Sequence, residues 1–305
     1  MSLSQMKRWG DDVDDPKIAG YVLMRILRAL VFLLAACSGH AAAARVSAVA
    51  LARDAGWQWS VIPAGAFDLA VARRPGVARS DVLTVYVEGD GFSYAARGRR
   101  AMDPTPTDPV ALRLALRHPG SGAVAWLARP CQYGPRARNC HSDYWSVARY
   151  APEVINGTGA ALDRLKADAG ASWLILVGYS GGGALVALLA ERRGDVVGLV
   201  TVAANLDLGA WTAAHRLTPL SRSVDPATDA ARLSRLRQVH FVGAEDRNVG
   251  PAIARAFAGK MAADAPVSIV TVAGQDHGCC WAGQWPLLAM HDDLAQIPGW
   301  GTMKP

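Results

Sequence analysis

Lysine is scarce in this 305-residue chain: 27 of its 32 basic residues are arginines. They are scattered, in runs no longer than Arg73-Arg74, Arg99-Arg100 and Arg192-Arg193, and no aromatic-interleaved basic stripe appears. The net charge of +6 therefore reads as surface composition, and no nucleic-acid partner is expected. There is no internal repeat and no long low-complexity tract. The apolar run Ala29 to Ala36 is too short to span a bilayer as a helix. Cysteine is also sparse, and no second Cys-x-x-Cys or His pair is spaced to complete a tetrahedral zinc site. What the chain does have is apolar bulk: 51% of it is hydrophobic, ample for one large α/β domain or two small ones.

The stretch "SWLILVGYSGGGALVALLAERRG", residues 172–194, breaks an apolar run with four glycines around one serine. Trp173 to Val177 suits a fully buried strand, and Ala184 to Arg193 suits a helix. A strand-to-helix turn this tight needs neighbours without a Cβ. It lifts the Ser180 hydroxyl clear of the sheet edge, at a helix N-terminus whose N–H groups can stabilise an oxyanion. No Gly-Lys-Ser/Thr follows, so the turn is not a phosphate-binding P-loop.

Further strands are expected at Trp57 to Ile62, Phe67 to Arg73, Val82 to Val87, Ala123 to Leu127, Val196 to Val202, His240 to Gly243 and Val267 to Val272. Helices are expected over Tyr150 to Ala169, Pro251 to Met261 and Trp285 to Ile297. The first two strands, joined by Pro63-Ala64-Gly65, make an antiparallel start. The rest alternate with helices and are continuously apolar, which gives a mostly parallel sheet with helices on both faces.

Sites in such a sheet form at the carboxyl ends of the strands. "HFVGAEDRNVG" puts Glu245 and Asp246 just past one strand, and "SIVTVAGQDHGCCW" puts Asp276 and His277 just past the next. The order Ser180, Asp246, His277 after a nucleophile elbow is that of an α/β-hydrolase catalytic triad. Glu245 and Asp207 are the rival acids, and His215 and His291 are weaker rival bases. The loop after "VYV" should supply an oxyanion-hole amide beside that of Gly181. Asp90 or Gly91 is expected to serve, Phe92 less so, with the Asp90 side chain turned away from the oxyanion.

From about Trp57 to about Ile297 the sequence resembles the α/β-hydrolase superfamily. The segments that carry this are "VYVEGDGF", "RPCQYG", "YWSVARYAPEVI", "GYSGGG", "TVAANLD", "FVGAEDRNV" and "DHGCCW". It looks closest to exported bacterial hydrolases without defined substrates. The resemblance implies a serine hydrolase acting on a small-molecule or lipid acyl compound, without metal or organic cofactor. Ser180 would be the nucleophile, His277 the general base and acid, and Asp246 the residue that orients it. Two alternatives stand beside this: an envelope acyltransferase using the same triad, and an inactive, lipid-anchored binding protein on the same scaffold. The segment 203–230 has the size of a small lid, and Trp211, Leu217, Pro219 and Leu220 suit either an apolar wall or ordinary packing. Tyr133, Tyr144, Trp145 and Trp281 are further candidates for a pocket lining.

The N-terminus reads as an address. Met24, Arg25 and Arg28 precede the apolar run, and Leu34-Ala35-Ala36-Cys37 resembles a bacterial lipobox, with Cys37 as the lipidated first residue. The alternative is an ordinary signal peptide cut after Ala41–Ala44. The acidic "DDVDDP" fits neither, so residues 1–23 are expected to lie upstream of the true start. The expected layout is 1–36 upstream segment and signal, 37–56 lipidated cysteine and linker, and 57–305 hydrolase domain. The product would sit in the cell envelope, lipid-anchored or periplasmic. In that oxidising setting Cys131 and Cys140 can close their short loop as a disulfide worth about 2–3 kcal/mol. Cys279-Cys280 is left open between a vicinal disulfide, two thiols and another pairing.

Overall fold

A computed structural model describes residues 45–77, 80–96, 98–134 and 137–301. Cys37 and the signal-like segment lie outside the described residues. Among those described, no helix is long and apolar enough to cross a membrane.

Eight strands form one sheet: β1 (Gln58–Ala64), β2 (Phe67–Arg73), β3 (Val82–Val87), β6 (Ala123–Leu127), β7 (Trp173–Tyr179), β8 (Val196–Val202), β9 (Gln238–Gly243) and β10 (Val267–Val272). Their order is β1-β2-β6-β3-β7-β8-β9-β10. β1 and β2 form a hairpin in which Ala64 pairs with Phe67, and Gly65 takes the positive φ of 58° that the two-residue turn requires. β2 also meets β6 antiparallel, and every later pairing is parallel. A separate ribbon, β4 (Tyr94–Ala96) with β5 (Arg99–Arg100), follows β3.

The continuous Val, Ile and Leu runs are buried on both sides because helices cover both. Successive residues of a strand face opposite sides. Leu83, Val85, Leu174 and Leu176 therefore pack with α3 (Pro152–Ala169) and α4 (Gly181–Ala190), and α6 (Pro251–Ala258) adds Phe257 to that side. Tyr86, Ile175 and Val177 face α1 (Ala48–Asp54), α2 (Val110–Ala115), α7 (Trp281–Leu288) and α8 (Asp292–Ala295). α4 is buried around its whole circumference, as its unbroken Ala/Leu/Val composition demands. β10, on the sheet edge, is half-exposed.

β2, β3, β6, β8 and β10 have the bounds expected from the sequence. Three differences have physical causes. α4 begins at Gly181, because the three glycines read as a turn are its first helical turn, held there by close packing that overrides their poor helix propensity. The expected helix Trp285 to Ile297 is two helices, α7 starting at Trp281 and α8 capped by the His291 side chain. The stretch 37–56, taken as linker, contains α1, capped by Ser47 accepting from the Ala50 N–H.

Candidate active site

β7 ends at Tyr179 and α4 begins at Gly181, so Ser180 alone makes the turn. Its φ of 50° and ψ of −123° lie where a residue with a side chain is strained. Backbone bonds hold it: the Ser180 N–H donates to Val202 O at 2.9 Å, and the Gly183 N–H donates to Ser180 O at 2.9 Å. The flanking glycines are steric necessities. A Cβ on Gly178 would lie 2.5 Å from the Gly182 and Gly183 backbone, and one on Gly182 would lie 2.3 Å from Val87 O.

The ends of β9 and β10 bring two side chains to this serine. His277 Nε2 is 2.9 Å from Ser180 Oγ, and His277 Nδ1 is 2.8 Å from Asp246 Oδ2. The other Asp246 oxygen accepts the Asn248 and Val249 N–H groups, each at 2.8 Å. Burial alone would raise this carboxyl. The His277 hydrogen bond and charge, with the two backbone donors, outweigh burial and hold it below the usual carboxylate range. Behind the imidazole, the Tyr179 hydroxyl donates to His277 O at 2.8 Å and the Trp281 indole N–H to the same oxygen at 3.2 Å.

The rival acids and bases stand outside this chain of bonds. Glu245 is exposed. Asp207 caps α5 (Leu208–Ala214) by accepting from the Ala210 N–H and pairs with Lys260 at 3.4 Å. Asp276 accepts the Gly278 and Cys279 N–H groups. His215 bonds Asn248 O at 2.7 Å, and His291 caps α8.

The opposite flank of Ser180 is the Glu88-Gly89-Asp90-Gly91 turn after β3. The Gly89 N–H donates to the Glu88 carboxyl at 3.0 Å, and the Phe92 N–H to Pro104 O at 2.9 Å. Phe92 is thereby spent as a donor, and the Asp90 and Gly91 amides remain in the turn. The expectation that the Asp90 side chain turns away needs correction. Its carboxyl lies against Gly181, where a Cβ would come within 2.1 Å of Oδ1. Two buried arginines make this tolerable. Arg149 Nη1 donates to Oδ2 at 2.5 Å, Arg129 Nη1 donates to Oδ1, and the Tyr150 hydroxyl reaches Oδ1 at 3.3 Å. Burial would raise the Asp90 carboxyl, but the charges of Arg149 and Arg129 hold it below its ordinary value.

Glu88 beside it is also buried. It accepts N–H groups from Gly89, Ala111, Leu112 and the Trp126 indole. Burial nonetheless pushes its carboxyl up to about 7. Gln132 completes the clamp, donating to Gly89 O at 2.8 Å and accepting from the Arg129 N–H at 3.1 Å. Cys131 in the same loop is bonded to Cys140, their Cα atoms 5.4 Å apart. Residue-level reading assigned no role to Arg129, Gln132, Arg149 or Tyr150. The signal was present in "RPCQYG" and "YWSVARYAPEVI", but their meeting point is a tertiary one.

No family model and no curated protein matches the chain. Solved structures do. An esterase from Pyrococcus furiosus superposes with a TM-score of 0.54 at 10% identity, over 81% of this chain and 93% of that one. An alpha-beta serine hydrolase homologue from Coxiella burnetii gives 0.51 at 15% identity, over 76% and 93%. A puromycin-hydrolyzing peptidase from Mycobacterium tuberculosis gives 0.54 at 15% identity, over 76% of this chain. The fold is that of the α/β hydrolases. The chain spans 38% of the length of that peptidase, so the likeness there is to one part of a larger protein.

Within this α/β-hydrolase fold, Ser180 opens onto a cleft of about 680 Å³. Phe92, Tyr94, Trp211, Leu217 and Val249 give it apolar walls, and Arg149 and Asn205 are among its polar lining. Segment 203–230 divides between its two readings: Trp211 and Leu217 line the cleft, whereas Leu220 packs against the core. Tyr133, Tyr144, Trp145 and Trp281 do not line it. Tyr133 packs on Trp59 and Trp126, Tyr144 on Phe67, Trp145 donates to Ala101 O, and Trp281 is fully buried. Cys279 and Cys280, exposed beyond His277, are bonded to each other.

Proposed function

We propose that this protein is a serine hydrolase that cleaves an ester or related acyl bond through an acyl-enzyme. The observation that carries the reading is the unbroken chain from Ser180 Oγ to His277 to the buried Asp246 carboxylate, with links of 2.9 and 2.8 Å, at the mouth of the cleft. His277 takes the Ser180 proton as the oxygen attacks the acyl carbon, then returns it to the leaving group. Asp246 accepts from Nδ1, which leaves Nε2 free to act as the base and steadies the imidazolium that forms. The Gly181 amide at the start of α4, with that of Asp90 or Gly91, receives the developing oxyanion. Water then repeats the sequence on the acyl-enzyme.

The test is fluorophosphonate labelling of wild type beside Ser180→Ala and His277→Ala. Wild type should label, Ser180→Ala should not label at all, and His277→Ala should label only residually. Full labelling of folded Ser180→Ala would sink the mechanism. We also propose, from the lipobox-like Leu34-Ala35-Ala36-Cys37, that the enzyme is anchored in the cell envelope through Cys37; the bonded pair Cys131–Cys140 suits an oxidising compartment. Cys37→Ala should then shift the protein from the membrane fraction to the soluble one, and an unchanged distribution would reject the anchor.

A further inference from the structure

We infer that the substrate carries a carboxylate and that Arg149 receives it beside the scissile bond. This rests on the hydrolase reading and narrows its substrate class. The first observation is a charge imbalance. Among the described residues, Asp90 is the one carboxylate bonded to both Arg129 and Arg149, whose side chains are 4% and 8% exposed. One negative charge between two guanidinium groups leaves a surplus of one positive charge. A buried charge without a counter-ion is costly.

The second observation is where the surplus faces. Arg149 lines the same cleft as Ser180 and His277. Its Nε donates to Ser146 O at 2.8 Å and its Nη1 to Asp90. Its Nη2 has no protein partner among the described residues. The other acids facing the cleft are committed. Glu88 already accepts from four donors and is pushed toward its neutral form, and Asp108 takes the Arg113 Nε at 2.6 Å. His277 is bonded to Asp246.

A third observation is independent of charge. Asn205 is 4% exposed, lines the cleft, and donates its backbone N–H to Ser180 O at 3.4 Å. Its side-chain Oδ1 is buried with no partner among the described residues. That oxygen is an acceptor, so a ligand N–H or O–H would complete it, while the carboxylate, itself an acceptor, falls to Arg149. The Arg149 guanidinium on a cleft otherwise walled by Phe92, Trp211 and Leu217 suits an apolar skeleton ending in a carboxylate. That carboxylate belongs either to the acyl chain or to the leaving group.

Paired esters test this. p-Nitrophenyl hemiglutarate against p-nitrophenyl valerate places the charge on the acyl side; 4-carboxyphenyl butyrate against phenyl butyrate places it on the leaving group. Wild type should prefer the charged member of one pair by at least about tenfold in kcat/KM, the size of a charge-assisted hydrogen bond. Arg149→Met should erase that ratio, and Arg149→Lys should keep part of it. A wild-type ratio at or below one for both pairs overturns the inference. So does an Arg149→Met variant that slows both members equally, since Arg149 would then serve only the oxyanion turn. Failure of Arg149→Met to fold does not block the test, because the wild-type ratios and competitive inhibition by free glutarate need no variant. Fluorophosphonate labelling on the same samples separates the two readings. Where Ser180 proves unreactive, calorimetry of glutarate against wild type decides: binding supports the anion site, and no binding rejects it.

Discussion

Asp246 is buried and Asp90 partly buried beside Ser180, and both carboxyls lie below their usual range, yet their partners differ in kind. Asp246 faces an imidazole, a group that can take up and give back a proton. Asp90 faces two guanidiniums, which cannot. In the proposed mechanism the first pair can therefore move a proton. The second fixes the shape and potential of the Glu88-Gly89-Asp90-Gly91 turn. The two carboxylates therefore differ through their partners: one partner can carry a proton, and the others hold fixed charge.

The sharpest way to break this comparison is the same substitution at both sites. Asp246→Asn keeps an oxygen for the Asn248 and Val249 N–H groups but stabilises the wrong imidazole tautomer. A fall of about 10⁴-fold in kcat is expected on a p-nitrophenyl ester, with a smaller fall in the urea midpoint than in the Asp90 variant. Asp90→Asn does the reverse to the fold, leaving Arg129 and Arg149 against each other without a counter-charge. A stability loss of about 3–5 kcal/mol is expected from urea titration. Equal midpoint losses in the two variants would mean that both acids are simply structural.

A smaller effect sharpens the contrast through pH. Glu88 has a folded-state value raised to about 7, above the ~4.3 of an unfolded glutamate. Its contribution is fully present below that unfolded value and is lost as pH rises to about 7, because the folded state holds the proton longer. The loss is on the order of 3 kcal/mol. Asp246 and Asp90 act in the opposite window: their stabilisation is present above the unfolded aspartate value and lost as pH falls below it. Glu88→Gln should flatten part of the decline between pH 4 and 7. Part should remain, since Glu191 is also raised to about 7 by burial. An unchanged decline in that variant would remove Glu88 from the account.

The two flanks also differed in how far the sequence revealed them. The Asp246–His277 flank was legible because both residues sit just past apolar strands, on neighbouring strand ends of a parallel sheet. The strands themselves were legible because burial on both faces writes an unbroken apolar run. The Asp90 flank was not, since its partners Arg129, Arg149 and Tyr150 stand 39, 59 and 60 residues away. No local pattern marks a long-range ion pair. The six-residue helix α2 was missed for a related reason: it is too short for a period to emerge, and the Glu88 carboxyl, from another element, accepts its Ala111 and Leu112 N–H groups.

The contact between the Asp90 carboxyl and the bare Cα of Gly181 has a consequence for how such a sequence can change over time. The two positions are not free to drift separately. A methyl group at 181 would need the space that the acid occupies, and removing the acid strands two arginines. A side chain at 181 therefore requires the Asp90 carboxyl to shift, and with it the Arg129 and Arg149 guanidiniums bonded to it, so these four positions are expected to change together.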